Sequence, residues 1–170
     1  MTHLRLTIIV SGMLAAVTVS IAGQAIVGSR WPDQEYRVEW AEVHVPAEVA
    51  AGVRIAVPVD MRNSGNRVWP ASQVFVSYHW FRGDRLVVWD GERTRLPRDL
   101  RAGSRAALAV RVATPVDPGS YLLQLTLVHE LVTWFEQRGA SMFTQPVEVR
   151  PSTRSFDCDS SGSTPCPASH

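Results

Sequence analysis

The chain is expected to be all-β, an antiparallel β-sandwich of about seven strands. Three observations carry that expectation. Apolar residues alternate with polar ones in short runs, the period of a half-buried strand. Clusters of Gly, Pro, Asn and Asp punctuate those runs. No run with helical spacing follows the apolar N-terminal stretch. The 170 residues leave room for one core, and 45% hydrophobic with 19% charged residues is the balance of a globular domain. A formal net charge of +1 predicts no strong general attraction to nucleic acid or to a membrane surface.

Residues 1–29 read as a membrane segment. Thr7 to Gly28 is 22 residues without a charge, flanked by Arg5 and Arg30, long enough to cross a bilayer as a transmembrane helix. That length favours an uncleaved single-pass anchor. Ser20-Ile21-Ala22 and Gly23-Gln24-Ala25 nevertheless have the small-x-small form of a cleavage site, which leaves a signal peptide and secretion as the alternative. In both cases the downstream domain is expected on the extracytoplasmic side of the cell membrane, because a long domain translocates largely regardless of its flanking charges. Residues 30–35 read as a linker in which Trp31 suits the membrane interface.

The strands follow in order. A first is expected around Tyr36 to Val45. Val53, Ile55, Val57, Val59 and Met61 then alternate with Arg54, Ala56, Pro58 and Asp60. Pro58 cannot donate to a ladder, so this strand is expected at an edge or bulged there. Val74, Val76, Tyr78 and Trp80 share one face of the next strand. Arg82-Gly83-Asp84 is read as a three-residue hairpin connection to a strand from Arg85 to Trp89, not as an adhesion motif. Leu108, Val110 and Val112 alternate again. Tyr121, Leu123, Leu125 and Leu127, with Leu122 and Val128 opposite, suit a central strand covered on both faces. Tyr121, just after Gly119, is placed like a tyrosine corner, whose phenol bonds back to an upstream backbone group. A last strand spans Phe143 to Val149. Residues 36–150 thus form the domain, and residues 151–170 are a tail too polar to offset its ordering entropy. Cys158 and Cys166 in that tail have seven residues between them and could close a disulfide in an oxidising compartment.

Four stretches carry a resemblance: NSGNRVWP from Asn63, SYHW from Ser77, VVWDGERTRLP from Val87 and PGSYLLQLTLVHELVTWFEQRG from Pro118. They resemble the immunoglobulin-like domain appended to many bacterial glycosyltransferases and methyltransferases of cell-envelope and polysaccharide loci. More distantly, they are similar to the four-tryptophan domain of eukaryotic selective-autophagy cargo receptors. The resemblance covers Tyr36 to Arg150 and rests on the order of Trp69-Pro70, Trp80, Trp89 and Trp134-Phe135. It implies an immunoglobulin-like sandwich that binds or scaffolds, without catalysis. Where the bacterial relatives carry a transferase domain this sequence carries the apolar segment, so the partner is left open.

Tryptophan serves a core and a sugar-stacking surface equally well. Trp69, after a turn and before Pro70, is expected to plug one end of the sandwich; Trp80 and Tyr121 complete the expected core set. Trp89 and Trp134 lie near element ends and are the better candidates for exposure. With Asp90 and Arg93 they form the candidate ligand site. The rings would stack on a ligand, Asp90 would accept from sugar hydroxyls, and Arg93 would pair with a carboxylate or phosphate. The alternative is a turn at Asp90-Gly91 that Arg93 braces against a carboxylate. Trp40 lies outside the shared positions.

All 17 cationic residues are arginine, and eight of them fall between Arg82 and Arg111 against Asp84, Asp90, Glu92 and Asp99. Such a stripe suits an anionic glycan or phosphate, but is more often a solvated face. His129-Glu130 begins like an H-E-x-x-H zinc motif without its second histidine, in a strand where neighbouring side chains point to opposite faces. A metal-dependent enzyme would instead need His79 and His129 to meet across strands. No nucleophile elbow or phosphate-cradling loop is present, and no cofactor is expected. The expected function is a non-catalytic, exported, membrane-anchored module of the bacterial cell envelope that recognises a glycan or protein partner, with no nucleic acid involved. The alternative is a structural accessory subunit of a membrane or envelope-biosynthesis complex.

Overall fold

A computed structural model describes residues 33–152. The apolar N-terminal segment, Trp31 and the tail with Cys158 and Cys166 lie outside the described residues. No helix among the described residues is long and apolar enough to cross a membrane.

Ten strands build two sheets. The smaller joins β1 (Val38–Val43), β3 (Arg54–Asn63) and β7 (Arg105–Ala113) in the order β1-β3-β7. The larger runs β2 (Glu48–Ala50), β10 (Phe143–Arg150), β8 (Gly119–His129), β4 (Val74–Arg82) and β5 (Arg85–Val88). Two short strands extend it: β6 (Thr94–Arg95) pairs with β4, and β9 (Thr133–Trp134) pairs with β8. All pairings are antiparallel except β2 with β10. Each of the seven expected strands has its counterpart. The three further ones, β2, β6 and β9, are two or three residues long, too short for a period of two to show.

Alternation places the core. Val57, Val59 and Met61 of β3 and Val110 and Val112 of β7 face Val76, Tyr78 and Trp80 of β4 and Leu123, Leu125 and Leu127 of β8. Direct hydrogen bonds cross this core as well. Trp80 Nε1 donates to the Ala113 carbonyl at 2.9 Å, and the Tyr78 hydroxyl accepts from the Ala113 N–H at 2.9 Å. Both polar ends of otherwise buried rings are thereby satisfied on one residue of the opposite sheet. At one end Trp69 packs edge-on against Phe135 at 5.1 Å and donates its indole N–H to the Glu35 carbonyl. At the other, the Tyr121 hydroxyl donates to the Asp117 carbonyl at 2.9 Å.

Two expectations need correction. The β3 strand is central in its sheet, not at an edge, and its ladder with β7 runs unbroken past Pro58. The Pro58 carbonyl accepts from His44 N–H, so the missing donor also faces that side, just beyond Val43 where β1 ends. The hairpin after β4 is tighter than expected: Arg82 pairs with Arg85, leaving Gly83 and Asp84 as the turn. Gly83 has φ +57°, the backbone that a two-residue hairpin turn asks of its first central residue.

Replacing Tyr121 by Phe removes one neutral hydrogen bond whose acceptor lies in an exposed loop. Urea unfolding of the full chain should therefore show a loss of about 1 kcal/mol.

Candidate functional site

The site arises from a mismatch of register at the edge of the larger sheet. Trp80 pairs with Val88 and Val76 with Thr94, so residues 89–93 lie opposite only residues 77–79 of β4. The surplus chain loops out. Gly91 stays in the strand plane, where its N–H donates to the Tyr78 carbonyl, and Trp89, Asp90 and Arg93 are thrown to the outer face. Only glycine fits at the pivot: a Cβ there would stand 2.6 Å from the Tyr78 carbonyl oxygen and 2.7 Å from its ring.

Beneath the loop, β4 turns two polar side chains outward, and both are buried. Ser77 donates to the Gly91 carbonyl at 3.0 Å. His79, 1% exposed, lies under Trp89 with the rings 4.2 Å apart and 8° from parallel. Its Nδ1 donates to the Trp89 carbonyl, and its Nε2 stands 3.4 Å from Glu136 Oε1. Thr126, beside Ser77 on β8, donates to Glu136 Oε2 at 2.6 Å. Trp89 itself keeps 41% of its surface exposed. Since the imidazole covers one ring face, the open surface belongs mainly to the other.

The turn after β8 supplies the second wall. Leu131, at φ +61°, reverses the chain into β9, which points Trp134 outward from beside Val128. Trp134 stands 5.5 Å from Trp89 and 4.8 Å from His79. Arg93 joins the two walls: its guanidinium lies 4.8 Å from the Trp134 ring centre, bonds Glu130 Oε2 at 3.0 Å, and pairs with Asp90. It also donates to Ser77 Oγ and to the Gly91 carbonyl. Burial acts to lower the Arg93 pKa, but hydrogen bonds and charge from Glu130 and Asp90 outweigh it and hold it above the ordinary arginine value. The group is a fixed cation.

The four residues singled out from the sequence, Trp89, Asp90, Arg93 and Trp134, thus lie together on one face. Of the two readings of their polar groups, the arrangement is that of the second, a turn at Asp90-Gly91 that Arg93 braces against carboxylates. Arg93 is committed to Asp90 and Glu130, so neither Arg93 nor Asp90 is a free group waiting for a ligand. Trp69 and Trp80 are buried, and Trp40 donates its indole N–H to the Ser141 carbonyl. Three members of the cluster, Ser77, Thr126 and Glu136, carried no signal in the sequence beyond being polar residues in or near apolar runs. His79 and His129 do not meet: His79 pairs with Gln124 and His129 with Val74, and His129 lies instead against Tyr36. Among the described residues, no group of three or more His, Cys, Asp or Glu side chains is placed to hold a metal ion.

No protein-family model and no curated protein sequence matches the chain. Solved structures similar in shape include β-glucosidase from Listeria innocua, at 14% identity and a TM-score of 0.44 over 68% of this chain and 16% of that one. A fragment of Escherichia coli alpha-2-macroglobulin is similar at 19% identity and 0.40, over 70% and 17%. A CARDB domain from Pyrococcus furiosus, solved with di-metal ions, is similar at 18% identity and 0.42, over 67% and 86%. The chain spans less than a fifth of the length of the first two. Identities and TM-scores this low assign neither a family nor an activity.

Two substitutions test the geometry. Gly91→Ala forces a methyl group into the Tyr78 backbone and should cost about 3 kcal/mol by urea unfolding. Arg93→Lys keeps the charge but cannot reach Asp90, Glu130 and Ser77 together. It should cost about 1 kcal/mol and make Trp89 more accessible to acrylamide quenching.

Proposed function

We propose that the protein is a non-catalytic β-sandwich binding module, held to the cell membrane by its N-terminal segment, that presents the Trp89–Trp134 face to a glycan or protein of the bacterial envelope on the extracytoplasmic side. The observation that carries this reading is Trp89. A large aromatic side chain is left substantially exposed, yet it is fixed in orientation by a buried imidazole below and a second tryptophan beside it. Exposed aromatic surface held rigid loses little entropy on binding, which is how ligand-stacking residues gain affinity. The polar groups around it serve to hold the rings, and the hydroxyl that is bonded to a carboxylate, Thr126 on Glu136, is buried, which supports binding without turnover.

A second reading has its own support. Leu86, Val87, Leu131 and Val132 are also exposed, at the hairpins that flank the tryptophans. Such apolar surface suits a subunit that docks permanently into a membrane complex.

A pull-down from detergent-solubilised envelope separates the two. The full-length protein should retain a partner that Trp89→Ala loses while its near-ultraviolet circular dichroism outside the Trp89 contribution is kept. Retention of the same partners by Trp89→Ala, with loss on Leu131→Ser and Val132→Ser, would favour the docking subunit instead.

A further inference from the structure

We propose that the ligand of this face is an uncharged oligosaccharide, laid across β4, β8 and β10, stacked on Trp89 and hydrogen-bonded by Gln124 and Thr144. The inference rests on the reading of Trp89 as a ligand-facing side chain. It adds to that reading a chemical class and two residues.

Register brings the residues into one row. His79 pairs with Gln124 and Gln124 pairs with Thr144, so the outward positions run from His79, capped by Trp89, to Gln124 and on to Thr144. Leu123 and Leu125 on either side of Gln124 point into the core, so Gln124 points out. Gln124 is half-buried and Thr144 exposed, and neither side chain has a hydrogen-bond partner among the described residues. From β4 to β10 the row measures about 10 Å, on the order of two pyranose rings. The next outward row, Phe81, Leu122 and Pro146, is apolar and partly open, a surface for the C–H faces of the sugars.

Charge selects against acidic ligands. Arg93 is the cation nearest the platform, and Asp90 and Glu130 already neutralise it. Glu136 adds a third carboxylate. The next arginine on this face, Arg95, stands over Phe75, four residues along β4 from His79 and about 14 Å away. An acidic glycan or a phosphate would meet net negative charge. A basic peptide would have to share carboxylates that already hold partners of the fold, Asp90 and Glu130 on Arg93 and Glu136 on Thr126 and His79. In the row across β4, β8 and β10, what remains unpaired among the described residues is an amide and a hydroxyl. Each both donates and accepts, which matches a sugar hydroxyl.

The test uses full-length protein in a detergent without a sugar headgroup, titrated with cellotetraose, mannotetraose and tetra-N-acetylchitotetraose, with tetragalacturonate and tetra-arginine as charged probes, by calorimetry and tryptophan fluorescence. At least one neutral tetrasaccharide is expected to bind more tightly than either charged probe. Trp89→Ala should abolish that binding, and Gln124→Ala and Thr144→Ala should each weaken it about fivefold, the worth of one neutral hydrogen bond. Both polar variants remove outward side chains that hold nothing in the fold, so their circular dichroism should match the parent. Preference for tetragalacturonate or tetra-arginine would overturn the inference, as would neutral binding indifferent to Gln124 and Thr144. If no tetrasaccharide binds at millimolar concentration while an envelope protein is still captured through Trp89, the sugar is overturned and the broader binding reading stands. Indifference of every ligand to Trp89→Ala would overturn both.

Discussion

One guanidinium joins the parts of the outer face. The loop of residues 89–93 and the turn that leads into β9 come from distant parts of the chain, and Arg93 is bonded to both while its guanidinium stands over the Trp134 ring. Its own backbone is held from the other sheet, since Arg111 donates its guanidinium to the Arg93 carbonyl and its N–H to Thr94 Oγ1. The charge is partly shielded from water, so each hydrogen bond to a carboxylate counts for more than a surface ion pair, whose usual worth is below about 1 kcal/mol. Geometry matters more than energy here. A fork of donors fixes two carboxylates, a hydroxyl and a backbone carbonyl relative to one another, which a point charge would not do.

That fixation explains why polar residues can be buried on the outside of a sheet. Ser77, His79 and Thr126 point away from the core, where solvent would ordinarily satisfy them. Covering them costs their hydration, and the structure replaces it with Gly91, Trp89 and Glu136 as partners. A small polar layer results, with Trp89 as its lid. The smaller sheet is built differently: its outward side chains include Arg54, Ala56, Pro58 and Arg62 on β3 and Arg105, Ala107, Ala109 and Arg111 on β7, all exposed and none aromatic. The asymmetry confines the outward aromatic cluster of Trp89 and Trp134 to the larger sheet, on a loop held by the strand beneath it.

Much of the fold was legible because β3, β7 and the first half of β8 are half-buried, and their alternation records which face meets the core. Tyr121 and Trp80 were legible for the same reason. Pro58 misled, because whether a strand is central depends on its neighbours and the direction of one missing N–H, neither of which is local. The candidate site was legible only as a list of residue types. Trp89, Asp90, Arg93 and Trp134 suggest a stacking surface, but the sequence does not contain the register between β4 and the edge formed by β5 and β6 that throws residues 89–93 outward. Nor does it reveal that Arg93 would be shared between a residue three positions away and Glu130. His79 shows the limit most clearly: an outward polar residue in a strand reads as solvated, and it is almost fully buried because two distant segments close over it.

The central claim is that the Trp89 surface is covered by a ligand in the envelope. Hydroxyl-radical footprinting of the full-length protein, once in envelopes prepared from the producing cells and once purified, reads that directly through side-chain oxidation at Trp89, Trp134 and, as a reference on the opposite sheet, Pro58. The account predicts that oxidation of Trp89 falls severalfold in the envelope while Pro58 is unchanged. Equal oxidation of Trp89 in both preparations, or protection of Pro58 in its place, would contradict it.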